Sequence, residues 1–185
     1  MLEGSEKWKG NKITKSLYSS LFFLSFVVAL FVIPPNVKGN ILDDICPQSL
    51  YPPLCFQMLR NDPTVSKGDV HGLLSTVLHI AQDNTTTTYK LVKSILKKPI
   101  KDPNVKAQMT NCFRNYSDAA DYLNRSINFY KSGDYKNTSL YSSLANNESI
   151  LCNHGFVEVP SKLKPLTEAV QEFSNFSARI ADNLK

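Results

Sequence analysis

VKAQMTNCFRNYSDAADYLNRSINFYKSGDY, residues 105–135, decides the fold of this chain. Val105, Met109, Cys112, Tyr116, Ala119/Ala120, Leu123, Ile127 and Tyr130 recur in steps of three and four. That spacing keeps one apolar stripe through roughly seven turns of helix. The opposite face holds Arg114, Asp118, Asp121 and Arg125, spaced for two i to i+4 ion pairs on a solvated surface. Pro103 suits the start of such a helix and Gly133 its end.

The turn at Ser132-Gly133-Asp134 lies midway between Cys112 and Cys152, and Tyr51-Pro52-Pro53 likewise lies between Cys46 and Cys55. A chain that runs up one helix and down another brings residues equidistant from the turn side by side, at the short separation a disulfide needs. Four cysteines permit three connectivities. The symmetry favours Cys46 with Cys55 and Cys112 with Cys152, and leaves the other two pairings open.

The same periodicity predicts three further helices. One runs over about 66–97 through Val70, Leu73/Leu74, Val77, Ala81, Leu91/Val92 and Ile95, and stops at Lys98-Pro99. Another covers about 134–152 through Leu140, Leu144 and Leu151. The last covers about 161–184 through Leu163, Leu166, Val170, Phe173, Ile180 and Leu184. Strand signals are scarce. Four amphipathic helices with short connections predict an all-α, up-down-up-down four-helix bundle over 66–185. Residues 40–65 are too few for a core of their own and read as a small helical hairpin packed on it, with Pro52-Pro53 opening its second helix. Asn84-Thr85-Thr86-Thr87-Thr88 reads as a weak stretch of the first bundle helix.

Residues 1–39 read as a secretory signal peptide. Lys7, Lys9, Lys12 and Lys15 precede an apolar run from Leu17 to Ile33, followed by a small-residue site ending at Gly39. A retained signal anchor is the rival reading. The segment carries five of the 21 Lys and Arg residues and two of the 16 Asp and Glu residues, so 16 cations face 14 anions afterwards and the net charge falls from +5 to +2. A nucleic-acid partner then loses its support, and no membrane association is expected after cleavage. Six Asn-x-Ser/Thr sequons follow, at Asn84, Asn115, Asn124, Asn137, Asn147 and Asn175, where composition alone predicts about two. The excess points to glycosylation in an oxidising secretory route.

Catalytic chemistry is not evident. His71, His79 and His154 include no i to i+4 pair for zinc, and no metal or cofactor is expected. Asp43-Asp44 are neighbours that point about 100 degrees apart on a helix and share no site. No Gly-rich phosphate loop or nucleophile elbow occurs. A binding module therefore suits the chain better than an enzyme. Its sharpest candidate surface is the turn Tyr130-Lys131-Ser132-Gly133-Asp134-Tyr135-Lys136-Asn137, which places aromatics and cations at an exposed tip. The alternative is that both tyrosines cap the core and the lysines are solvated.

Beyond the spacing, the residues themselves match a known pattern: Ile45-Cys46, Tyr51-Pro52, Cys55, Asp62-Pro63, Asp69-Val70-His71-Gly72-Leu73, Asn111-Cys112, Tyr116, Asp118-Ala119-Ala120, Leu123, Ser132-Gly133-Asp134-Tyr135, Ser143-Leu144-Ala145, Cys152 and Phe156. In these the chain from residue 40 onward resembles the plant invertase and pectin methylesterase inhibitor family. The resemblance implies a hairpin-plus-bundle fold with the two disulfides favoured above, and the role of a secreted proteinaceous inhibitor. The implied site is the apoplast or cell wall, with the vacuole as the other destination. One branch blocks acid invertases (β-fructofuranosidases), the other pectin methylesterases. In the invertase branch a Pro-Lys-Phe stretch enters the enzyme cleft. Tyr135, Lys136 and Asn137 match it here with only the lysine kept, and a cation suits the paired carboxylates of a glycoside hydrolase. The Ser132 to Tyr135 turn looks more like the invertase branch, so occlusion of an acid invertase is the first expectation. Pectin methylesterase inhibition through the second and third bundle helices is the second, and a non-inhibitory wall glycoprotein the third. Asn137 complicates the first, because a glycan there would occupy the entering surface.

Overall fold

The computed structural model describes residues 41–185; the signal peptide expected over 1–39 lies outside the described residues. Helix α1 (Ile41–Ile45) continues into a 3-10 turn (Cys46–Gln48), and α2 (Pro52–Leu59) runs back to complete the small hairpin. Next come α3 (Pro63–Lys67), α4 (Val70–Leu96), α5 (Pro103–Lys131), α6 (Tyr135–His154) and α7 (Lys164–Asp182).

Aspartates set where four of these begin. The Thr64, Gly72, Asn104 and Asn137 N–H groups donate to Asp62, Asp69, Asp102 and Asp134 at 2.8, 2.9, 2.8 and 3.0 Å. Each bond satisfies an amide that a helix start leaves unpaired. Two glycines are fixed by this geometry. Gly133 ends α5 at φ +76°, where a side chain would be strained. A Cβ on Gly72 would collide with the Asp69 carboxylate and lie 2.7 Å from the Thr64 methyl.

The four long helices pack in a ring, α4 on α5, α5 on α6, α6 on α7 and α7 back on α4. Leu73, Leu74, Val77, Leu78, Leu123 and Phe173 fill one end of the core, and Val92, Met109, Tyr116, Leu163 and Val170 the other. Tyr116 is buried with its hydroxyl donating to Thr167 Oγ1 at 3.0 Å, and burial pushes its phenol well above the ordinary range. Hairpin and bundle meet on α7. The Tyr51 N–H donates to the buried carboxylate of Glu172 at 2.8 Å, the Tyr51 hydroxyl donates to Gln171 at 3.1 Å, and the Arg179 guanidinium donates to the Gln48 carbonyl.

The main departure from the periodic reading is α6. Leu140 and Leu151, expected in the core, are 51% and 55% exposed. The inward stripe is Thr138, Ser142, Ala145, Ser149 and Cys152, all buried and spaced four, three, four and three. Small residues allow α5 and α6 to approach closely, and the hydroxyls are satisfied locally: Ser126 Oγ lies 2.8 Å from both the Thr138 carbonyl and Ser142 Oγ. Other differences are smaller. Val105 is exposed at the start of α5, Gly68 separates α3 from α4, and α7 begins at Lys164. Asp121 and Arg125 pair at 2.9 Å, whereas Arg114 turns to Asn111 instead of Asp118. The threonine stretch after Asn84 is continuous helix, with Thr85 and Thr88 fully buried.

The structure pairs Cys46 with Cys55 and Cys112 with Cys152, over sequence separations of 9 and 40. By loop-closure entropy the longer bridge stabilises more, by about 1 kcal/mol. Equilibrium urea unfolding should therefore show a larger loss for Cys112→Ala/Cys152→Ala than for Cys46→Ala/Cys55→Ala. Equal losses, or the reverse order, would show that strain or residual structure outweighs loop length.

Candidate inhibitory surface

The tip between α5 and α6 is built by its own caps. The Asp134 N–H donates to the Phe129 carbonyl at 2.9 Å and the Gly133 N–H to the Tyr130 carbonyl at 3.0 Å, closing the end of α5. The Asp134 carboxylate then starts α6 through the Asn137 backbone N–H at 3.0 Å and the Asn137 side-chain amide at 2.6 Å. These bonds, with Lys136 beside them, hold the Asp134 carboxyl below its ordinary value.

Of the three residues expected to enter a cleft, only Lys136 stands free. Tyr135 is half-buried against the core. Its ring lies 5.6 Å from the His71 ring, and its hydroxyl is 3.1 Å from His71 Nδ1. Tyr130 reaches the same residue, its hydroxyl donating to the His71 carbonyl at 3.0 Å. Both tyrosines thus tie the tip to the first turn of α4, the packing role weighed against recognition. Asn137 is folded back on Asp134. Lys136 is exposed in the first turn of α6, beside the Asp134 carboxylate that caps the same turn, so the tip offers one projecting cation with an anion close by.

A second surface was not legible in the apolar periodicity. Along the outer rim of the α5–α6 contact, the Tyr141 ring stacks on Phe129 with centroids 5.2 Å apart, and Tyr122 lies 6.1 Å away at a tilt. The exposed Arg125 guanidinium sits 5.7 Å from the centre of the Tyr141 ring while bonded to Asp121. Three half-buried aromatics and an arginine held in place are the composition of a binding hot spot. The usable signal was the i to i+7 spacing of Tyr122 and Phe129 on α5, which reads as core until α6 is known to present small residues.

The six sequon asparagines lie within helices, and the fold uses several of their amides. Asn84 Nδ2 donates to the Ile80 carbonyl at 2.8 Å, and Asn137 Nδ2 to Asp134. Asn115 sits between the Asn111 carbonyl and the Cys152 N–H, and the hydrogen-bonding pattern assigns its amide nitrogen to the first and its oxygen to the second. Asn124 accepts from Gln82 at 3.0 Å through its oxygen. Asn175 is partly buried on α7, and Asn147 is exposed on α6. Among the described residues no cluster of three or more His, Cys, Asp or Glu could hold a metal, and no helix is long and apolar enough to cross a membrane.

Comparison with known proteins places this geometry in context. The family model for plant invertase/pectin methylesterase inhibitors matches residues 40–184. A pectinesterase inhibitor of Actinidia deliciosa is 33% identical, over 85% of this chain and 93% of its own length. The cell wall/vacuolar inhibitor of fructosidase 2 of Arabidopsis thaliana is 27% identical, over 80% of this chain and 85% of its own. The crystal structure of a mutant pectin methylesterase inhibitor from Arabidopsis superposes with a TM-score of 0.69 at 21% identity, covering 78% of this chain and 97% of that one.

The capping role of Asp134 is open to a pH test. Its folded-state pKa is lowered, so its stabilisation is present above the ordinary value of 3.8 and is lost as pH falls through the lower folded value. Thermal melts of the parent and of Asp134→Ala should differ most near neutrality and converge below that range. A difference that grew on acidification would contradict the cap.

Proposed function

Because the chain belongs to the plant invertase/pectin methylesterase inhibitor family, it is an enzyme inhibitor and not an enzyme, and we propose that its target is a pectin methylesterase. The observation that carries this reading is the arginine and aromatic cluster of Tyr122, Arg125, Phe129 and Tyr141 on the α5–α6 rim. This is the face through which the pectin methylesterase branch is expected to dock. A rigid surface whose rings already stack loses little conformational freedom on binding. Inhibition is by steric closure of the cleft, with no bond made or broken. The protein acts in the cell wall space, reached by cleavage of the segment 1–39, and residues 40–185 form one inhibitory domain.

The second reading is occlusion of an acid invertase, and exposed Lys136 at the positive end of α6 favours it. Against it stands the geometry of the tip, where Tyr135 and Asn137 are turned inward and leave a single side chain to project.

Titration of the mature protein against pectin methylesterase and acid invertase at about pH 5, where cleft carboxylates are partly ionised, separates the two. Stoichiometric loss of pectin methylesterase activity is expected. Arg125→Ala or Tyr141→Ala should raise the inhibition constant by about 10- to 100-fold, the range for losing a hot-spot residue. Lys136→Ala should change it little. Inhibition confined to invertase and abolished by Lys136→Ala would replace the first reading with the second. Activity against neither enzyme would leave the non-inhibitory glycoprotein.

A further inference from the structure

Helix α6 carries two opposite stripes at the same spacing. One is the buried row of small residues; the other is Leu140, Leu144, Asn147 and Leu151, at steps of four, three and four on the side facing away from the bundle. Leu140 and Leu151 are 51% and 55% exposed, and the stripe extends for roughly 16 Å along the helix. Other exposed apolar side chains, such as Met58 and Val105, lie on other elements, whereas these leucines are aligned on one helix face, and a contiguous apolar patch ordinarily has an occupant. Its one polar member, Asn147, heads the sequon Asn147-Glu148-Ser149.

We propose that Asn147 carries an N-linked glycan and that this glycan covers the leucine row of α6. The chain itself therefore supplies the occupant. The five other sequon asparagines fit the role less well. Nδ2 is the atom a glycan would take, and a chain carrying one on Asn84 or Asn137 would have to fold around it at a position where Nδ2 donates within the fold. Asn115 is wedged between α5 and the Cys152 backbone, and Asn175 is partly buried on α7. Asn124 is exposed but stands on α5 beside Gln82, toward α4 and away from any leucine row. Asn147 is exposed, and its neighbours on the stripe are the uncovered apolar residues.

Ser149, the hydroxyl residue of this sequon, is fully buried and donates to the Asn146 carbonyl at 2.7 Å. A transferase that must reach this hydroxyl meets it only before α6 closes on α5. Attachment therefore precedes folding, and a bundle folded first is not a substrate. The glycan site and Tyr141 lie six residues apart and roughly 120 degrees around the helix, so the sugar leaves the α5–α6 rim open to the target enzyme.

The inference rests on the secretory reading of the chain, and its test separates the two. The full-length protein is expressed in plant cells, recovered from the medium, and its sequons mapped by peptide mass spectrometry after enzymatic glycan release in heavy-oxygen water. Asn147 is expected to be occupied. Trimming the glycan from the folded protein, or Asn147→Gln, should raise the fluorescence of a bound apolar dye several-fold and promote self-association in sedimentation. Adding Leu140→Gln and Leu151→Gln should return both signals to the starting level. Asn147 bare in protein recovered from the medium, whether or not other sequons carry a glycan, overturns the assignment while sparing the secretory reading, whereas failure of the protein to reach the medium overturns both. Unchanged dye binding after trimming removes the covering role. If Leu140→Gln with Leu151→Gln weakens inhibition by about ten-fold or more, the enzyme covers the row and the proposal falls.

Discussion

The close approach of α5 to α6 is the constraint on which the rest of this molecule depends. Where the bridge joins them the two backbones are 4.6 Å apart at Cα, and along the contact the inward residues are Ala119, Ser126, Thr138, Ser142, Ala145 and Ser149. Such a contact gains little from apolar area per residue. It is held by dispersion between closely packed backbones, by hydroxyls that bond across the seam, and by the Cys112–Cys152 bridge. Its steric consequence is that large side chains are displaced to the edges. Tyr122, Phe129 and Tyr141 gather on the rim, and Leu140 and Leu151 point to water. The features that suit binding are thus by-products of how the seam is packed.

The same packing explains what could be read from the sequence. The α5 stripe from Met109 to Ile127 was legible because its inward residues are mostly large and apolar. The α6 stripe was not, because a periodicity search counts leucines and passes over serine and threonine; it took the outward leucines for the core. Caps were legible in another way. Asp62-Pro63, Asp69 to Gly72 and Gly133-Asp134, which carry much of the family likeness, all sit at helix boundaries. They record where helices start and stop, so they identify the fold and bear little on the target. That Tyr135 packs inward was one of the two readings the sequence allowed; its partner, His71, 64 residues away, was not legible.

Sequon number also has a structural component. Ser126, Ser139, Ser149 and Ser177 are buried, each the hydroxyl residue of a sequon, and three of them bond to helix carbonyls nearby. A bundle that uses serine inside and asparagine two positions earlier, on an adjacent face, generates the motif repeatedly. The count of six is therefore partly a count of inward serines. What distinguishes one sequon from another is whether the fold can accommodate a glycan on its asparagine without giving up a bond, and that is a property of the folded chain.

Two target classes on one scaffold follow from this division of labour. Caps, seam and disulfides fix the bundle to within the tolerance that any docking face needs, and they can do so whichever enzyme is met. The choice falls to residues that the fold does not require. Lys136 projects from the tip with the Asp134 carboxylate as its charged neighbour, and Arg125 pairs with Asp121 and Tyr141 on the surface. Of the two, Arg125 is held between Asp121 and Tyr141 and approaches a partner in one arrangement, whereas Lys136 must be ordered on binding. Ordering a long side chain costs about 0.5–1.5 kcal/mol. That difference favours the rim over the tip wherever both surfaces meet an acidic cleft, and it originates in the packing of α5 against α6 that gathers the rings around Arg125.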